Sequence, residues 1–180
     1  MARKSYKKRF YRRKGRWSAN IRTITNESVT APSGSFFSTL DLCLNPPQDS
    51  TTVSQQFTVK NVELSYEIDS DTGINFAEGL TSYIMFVPQG MTVTETYPNF
   101  HPEFIMAMKF LGSPSINNDT TIEPPQGLNT GRNPLRIKTR LARRLQTGDK
   151  IILLIVGTNI TDTQATLKYN GIIRWWTKAN

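Results

Sequence analysis

Phe57-Thr-Val-Lys-Asn-Val-Glu-Leu-Ser-Tyr-Glu-Ile-Asp69 decides how this chain is read. Val62, Leu64, Tyr66 and Ile68 take one side, and Glu63, Ser65, Glu67 and Asp69 take the other. A strict period of two is the signature of an antiparallel strand with one face on a core and an acidic face in water. Asp69-Ser-Asp-Thr-Gly73 ends the strand as a turn. That turn superficially resembles a calcium loop, but Gly73 falls one place early and Glu78 two places early for the ligand set. No metal site is assigned, and whether Asp69–Gly73 takes a cation stays open.

Similar signals lie on both sides. Upstream, Asn20–Thr30 is rich in Thr, Ile and Val, Pro32-Ser-Gly34 turns the chain, and Phe36–Leu44 follows. Leu40, Leu42 and Leu44 share one face of that strand, with Asp41 and Cys43 opposite, and Pro46-Pro47 stops it. Cys43 reads as a small packing residue. Downstream, Leu80–Val87 is a strand ahead of Pro88. Pro102 then suits a first helical position, Phe104, Met108 and Leu111 recur at helical spacing, and Gly112 is a stop, which predicts a helix of about ten residues. Ser113–Asn133, with its prolines, reads mostly as loop. Strands resume where Leu135, Ile137, Thr139 and Leu141 alternate with Arg136, Lys138 and Arg140, followed by Arg143 and Arg144. Thr147-Gly-Asp149 is a tight turn, and Ile151–Val156 reads as a strand buried on both faces. Gln164–Thr177 closes the series with Leu167, Tyr169, Ile173 and Trp175 on one side. Seven or eight strands, one short helix and no βαβ rhythm predict an all-β fold, a single antiparallel jelly roll or Greek-key β-sandwich over residues 23–180.

Residues 1–22 are a different material. Arg3, Lys4, Lys7, Lys8, Arg9, Arg12, Arg13, Lys14, Arg16 and Arg22 are ten cations with no acid among them. No apolar period runs through this stretch, so it is expected to be a disordered, self-repelling arm until an anion neutralises it. Tyr6, Phe10, Tyr11 and Trp17 are interleaved with the cations, and unpaired bases stack on such rings at roughly 1–3 kcal/mol each. The arm reads first as a nucleic-acid binder. A solubilising tail is the bland alternative, and Lys7–Lys14 also reads as a nuclear-import signal. No apolar face for a membrane surface and no uninterrupted apolar core of a secretory signal is present in 1–22. The formal charge of +8 is therefore +10 in the arm and −2 in residues 23–180. A second basic cluster, Arg132 to Lys150, sets seven cations against Asp149, whereas residues 27–123 carry twelve acids against Lys60 and Lys109. This segregation predicts a two-sided body, acidic outward and basic toward a polyanion through Arg136, Lys138, Arg140, Arg143 and Arg144.

Signals for catalysis are sparse. His101 is the single histidine and sits beside a predicted helix start, where packing or capping is its ordinary use. Phosphate-cradling glycine loops, nucleophile elbows and paired-histidine metal signatures are missing. A single cysteine permits neither an internal disulfide nor a cysteine-based zinc site. No catalytic residue, metal or cofactor is assigned, and the chain is expected not to be an enzyme.

The basic aromatic arm MARKSYKKRFYRRKGRW, the stretch His101–Gly112, RIKTRLARRLQTGDKIILLI and the ending YNGIIRWWTKAN together resemble the capsid protein of small circular single-stranded DNA viruses, the circovirus-like group. That resemblance implies a jelly roll assembled into an icosahedral T=1 shell of sixty copies. It implies arms turned inward on a single-stranded DNA genome, nuclear-import receptors as host partners, and residence in the virion and, during assembly, the host nucleus. It identifies no host-cell attachment factor. Sixty arms would bring roughly 600 cations, each displacing counterion from about one phosphate, a large part of a genome that must encode this chain and a replication protein. Other classes stay open: a satellite-type RNA virus capsid, a ribosomal or RNA-scaffold protein, and a carbohydrate-binding jelly roll using Trp175 and Trp176.

Overall fold

The computed structural model describes residues 16–44, 56–70, 74–111, 115–116, 135–160 and 164–179. Ten strands are found among them: β1 (Ser18–Ala31), β2 (Gly34–Leu44), β3 (Phe57–Ser70), β4 (Ile74–Val87), β5 (Ile105–Phe110), β6 (Ser115–Ile116), β7 (Leu135–Lys138), β8 (Ala142–Leu145), β9 (Lys150–Asn159) and β10 (Ala165–Ala179). They form two sheets, one ordered β1-β10-β3-β7 with β8 also on β3, the other β2-β9-β4-β5 with β6 on β4. Every pairing is antiparallel.

The pairing scheme defines the fold. First pairs with last (β1 with β10), second with next to last (β2 with β9), β3 with β7 and β8, and β4 with β5. A long hairpin paired in this way and then wound on itself adds the contacts β10 to β3 and β9 to β4 and closes two facing sheets. That winding is a jelly roll, the architecture the strand count predicts.

Alternation supplies the core. Val62, Leu64, Tyr66 and Ile68 of β3 all point between the sheets and meet Leu42, Ile84, Leu153, Leu167 and Ile173. Burying a Leu or Ile side chain contributes about 1.5–3 kcal/mol, so these rows are what hold the sheets face to face. The central strand β9 is buried on both sides, as expected, because Ile152 and Leu154 sit under a second cluster with Met85, Val87 and Tyr97. Tyr97 reaches them from the connection between β4 and β5.

That connection corrects one expectation. A helix forms at Tyr97–Phe100 (α1), and a 3₁₀ turn follows at Pro102–Phe104, with proline at the start of each. Ile105–Phe110, predicted as helix, is instead the edge strand β5. Phe104, Met108 and Leu111 do have helical spacing, but Ile105-Met-Ala-Met-Lys-Phe is also a short apolar run, which periodicity alone cannot assign. The unpaired edge of β4 decides it by hydrogen-bonding to β5. Met106 and Ala107 then turn to the core, and Met108 and Phe110 are left 61% and 63% exposed.

Two smaller corrections come from bulges and breaks. The register slips between Asp41 and Cys43, so Cys43 joins Leu42 in the core rather than facing the opposite side. The predicted Leu135–Leu141 ladder breaks at Thr139–Leu141: the Thr139 hydroxyl accepts the Leu141 N–H at 3.0 Å, and Leu141 is 50% exposed. Opposite the break, Asn61 of β3 adopts φ 51°, a bulge conformation that asparagine tolerates. The Thr147–Asp149 turn forms as expected, with Gly148 at φ 85° and the Asp149 carboxylate accepting N–H groups of Gln146 and Gln89 at 2.8 and 3.0 Å.

Gly171 marks a close approach of β10 to β3. A methyl group there would stand 2.4 Å from the Ser65 carbonyl oxygen and 2.9 Å from Tyr66 Cα, both rigid backbone of β3. We expect Gly171→Val to push β10 off β3 and destabilise the domain by about 3 kcal/mol or more, the upper part of the range for overpacking. Urea denaturation would measure this; a loss under about 0.5 kcal/mol would show that the strands are not so closely seated.

Candidate nucleic-acid interface

Most of the arm lies outside the described residues, including Arg3, Lys4, Lys7, Lys8, Arg9, Arg12, Arg13 and Lys14 and the rings Tyr6, Phe10 and Tyr11. Its root is described. Arg16 is exposed, and Trp17 lies beneath the Lys60 ammonium at 3.9 Å from the ring centroid, a cation–π contact worth about 0.5–1 kcal/mol at an exposed site. β1 begins at Ser18, so residues 18–22 of the basic stretch belong to the sheet ladder. Arg22 is half-buried opposite Ile173 of β10.

Lys60 fixes which face the root occupies. It pairs with Trp176 of β10 and Ala142 of β8, on the solvent side of the β1-β10-β3-β7 sheet. Neighbouring rungs of that side carry Arg144–Thr58–Lys178, Lys138–Glu63–Arg174 and Arg136–Ser65–Ile172. Lys60, Arg136, Lys138, Arg144, Arg174 and Lys178 thus stand with Glu63 on the half of the sheet from which the arm leaves. Lys60, Arg174 and Lys178 were not singled out by the sequence reading. Only the strand order puts Arg174 across β3 from Lys138 of β7 and Lys178 across β3 from Arg144 of β8.

Two predicted basic residues, Arg140 and Arg143, are placed differently from the rest. Arg143 turns inward: its guanidinium donates to the Glu103 carbonyl and lies 5.7 Å from the Phe86 ring centroid, tying β8 to the opposite sheet. Arg144 faces solvent and donates to the Gln56 side chain. Arg140 is exposed in the break between β7 and β8.

The simple two-sided charge division does not hold within this sheet. Glu63 sits between Lys138, 3.5 Å away, and Arg174, its rung partner. Glu67 of the same strand is farther along, beside Asn170. Antiparallel pairing has laid acids from the acidic part of the chain against cations from the basic part. What remains is a concentration of cations on the half of the sheet at the arm root, while at the far end Lys168 stands on the same face as Glu67.

Other candidates resolve into packing. His101 stacks on Phe104 at 5.4 Å between centroids and meets Tyr97 at 4.8 Å with the rings tilted by 45°, with Nδ1 3.4 Å from Glu103 Oε1. Cys43 is buried, and desolvation pushes its thiol up to about 11, leaving it protonated at neutral pH. Trp175 is a bulge residue packed on the core, so it does not join Trp176 in a solvent-facing platform for sugars. Among the described residues no group of three His, Cys, Asp or Glu side chains is arranged to hold a metal, and no helix is long and apolar enough to cross a membrane. The Asp69–Gly73 turn lies largely outside the described residues.

No protein-family model matches the chain, and no curated protein matches it. Among solved structures it is similar to the infectious bursal disease virus VP2 subviral particle, at TM-score 0.38 and 11% identity over 89% of this chain. It is also similar to structures of the Gx strain (TM-score 0.34, 10% identity, 89% of this chain) and the Gt strain (0.31, 11%, 88%) of that virus. The chain spans about a third of the length of those chains, 33%, 33% and 32%.

Proposed function

We propose that this chain is a structural, non-enzymatic capsid subunit of a small virus, which assembles through its jelly roll into a closed icosahedral shell and packages single-stranded nucleic acid. One observation carries the reading: the root of the cationic arm and the basic half of the β1-β10-β3-β7 sheet share a single face, joined at the Trp17–Lys60 contact. A polyanion held by the arm is thereby drawn across Lys60, Arg136, Lys138, Arg144 and Arg174. In a shell that face points inward. Phosphate contacts of this kind position a strand without reading its sequence.

The finer parts of the proposal follow the sequence resemblance. The shell has sixty copies, the cargo is circular single-stranded DNA as in the circovirus-like group, and the arm doubles as the signal for host nuclear import. Backbone charge is common to DNA and RNA, so an RNA-packaging satellite capsid is the competing reading. Electron microscopy of the purified chain, with the nuclease-protected nucleic acid typed for its sugar, tests all of this together. Closed particles protecting deoxyribose polymer are expected. Monomers at physiological salt with no protected nucleic acid would overturn the proposal, and protected ribose polymer would transfer it to the RNA class.

A further inference from the structure

Two depressions adjoin on the solvent face of the β1-β10-β3-β7 sheet, with Ser65 and Ile172 belonging to both. Their chemistry differs. The first, of about 210 Å³, is lined by Glu63, Ser65, Arg136, Ile172 and Arg174. Two guanidiniums from separate strands converge on it, across the Ser65 hydroxyl, and Glu63 is already matched by Lys138. The second, of about 400 Å³, is lined by neutral groups including Thr23, Thr25, Asn170 and Ile172, with Glu67 as its one acid. It opens where β1 bulges away between Ile24 and Glu27, with Gly171 among its lining residues. Asn170 Oδ1 there accepts the Asn26 N–H at 2.9 Å, which fixes the amide so that its NH₂ group is left to donate.

A charged hollow beside a neutral one, with a half-exposed isoleucine between them, has the layout of a nucleotide. We propose that this pair of depressions seats one nucleotide of the bound single strand. Its phosphate lies between Arg136 and Arg174, and its base lies in the second hollow against Ile172. The assignment runs only in this direction, because Glu67 repels a phosphate and paired guanidiniums are the geometry that phosphate favours. At the base edge, the Glu67 carboxylate accepts a hydrogen bond from an exocyclic amino group, and the Asn170 amide donates to a ring nitrogen or carbonyl. Cytosine offers that amino group next to acceptors; thymine offers a carbonyl in its place, which faces the carboxylate unfavourably. The seat therefore prefers cytosine to thymine, a local selectivity on top of otherwise unselective packaging, and it rests on the nucleic-acid reading above.

The test uses the full chain with the oligonucleotides dC₁₂ and dT₁₂ at elevated salt, where the arm's counterion-driven contribution is weakest. Wild type is expected to bind dC₁₂ roughly tenfold more tightly than dT₁₂, within the discrimination given by one good base contact. Glu67→Ala should bring the ratio to about one, and Arg136→Gln with Arg174→Gln should weaken both oligonucleotides alike. These side chains face solvent, and unchanged circular dichroism would show that the variants fold. Equal binding of the two oligonucleotides by wild type, or a preference that survives Glu67→Ala, would overturn the seat while leaving nucleic-acid binding intact. Failure to bind either one, even at low salt, would overturn the nucleic-acid reading and the seat with it.

Discussion

Deleting residues 2–16 is expected to abolish packaging while leaving the β-sandwich folded. The segment holds nine of the ten cations of the leader and none of the described strands, since β1 begins at Ser18. Without it the chain carries a net charge near zero, because the nine removed cations outweigh the original +8. Single-strand binding loses counterion release in proportion to the phosphates neutralised, with a slope of about 0.7 per contact. Nine fewer contacts should flatten the dependence of log affinity on log salt by about 6, and binding at physiological salt should fall by several orders of magnitude. The measurement is a salt titration of oligonucleotide affinity for both forms, alongside nuclease-protected nucleic acid per particle. Thermal melting of the truncated chain should match the parent within a few degrees. A truncated chain that packages as much nucleic acid as the full one would remove the arm from the mechanism.

The second large effect is alkaline collapse. Tyr66 and Tyr169 are buried between the sheets, where desolvation raises both phenols, Tyr66 from 10.0 to about 12 and Tyr169 further. Tyr66 shares a 2.5 Å hydrogen bond with Ser82, which pulls slightly the other way. The buried Tyr169 hydroxyl has no hydrogen-bond partner among the described residues. A pKa raised by folding means that the native state holds its proton more tightly than the unfolded chain does. The stability so contributed is complete below pH 10 and is lost as the pH climbs from 10 toward 12. That rise at Tyr66 corresponds to about 3 kcal/mol, and the side chain is too buried for solvent to screen the effect. Cys43, raised from 9.0 to about 11, adds to the loss from pH 9 upward. Against a total stability of about 5–15 kcal/mol, the domain should unfold cooperatively near pH 11. Urea midpoints at pH 8, 10 and 11.5 measure this. The variant Tyr66→Phe/Ser82→Ala/Tyr169→Phe removes both phenols without stranding the Ser82 hydroxyl, and its midpoint should fall much less between pH 10 and 11.5. An equally steep fall in that variant would assign the alkaline loss to other groups.

Residues whose neighbours in sequence are also their neighbours in structure could be read in advance. The alternation of β3 put Val62, Leu64, Tyr66 and Ile68 inside, and Thr147-Gly-Asp149 turned where composition said it would. The basic leader was equally legible, since charge density needs no fold to exist. Residues 105–110 were not, because periodicity alone does not assign a short apolar run, and the open hydrogen bonds of β4 chose strand over helix. Nor could the sequence say that Arg143 would turn inward to Glu103 while Arg174 joined Arg136 across β3.

Sequence by itself thus determined the inner and outer residues of most strands and the separation of a cationic leader from a nearly neutral body. Tertiary structure alone decided who stands beside whom: Glu63 between Lys138 and Arg174, and Trp17 under Lys60. The reason is physical. Side-chain direction along a strand is set by the local pleat, whereas rung partners are set by register between segments up to 159 residues apart, as Ser18 and Thr177 are.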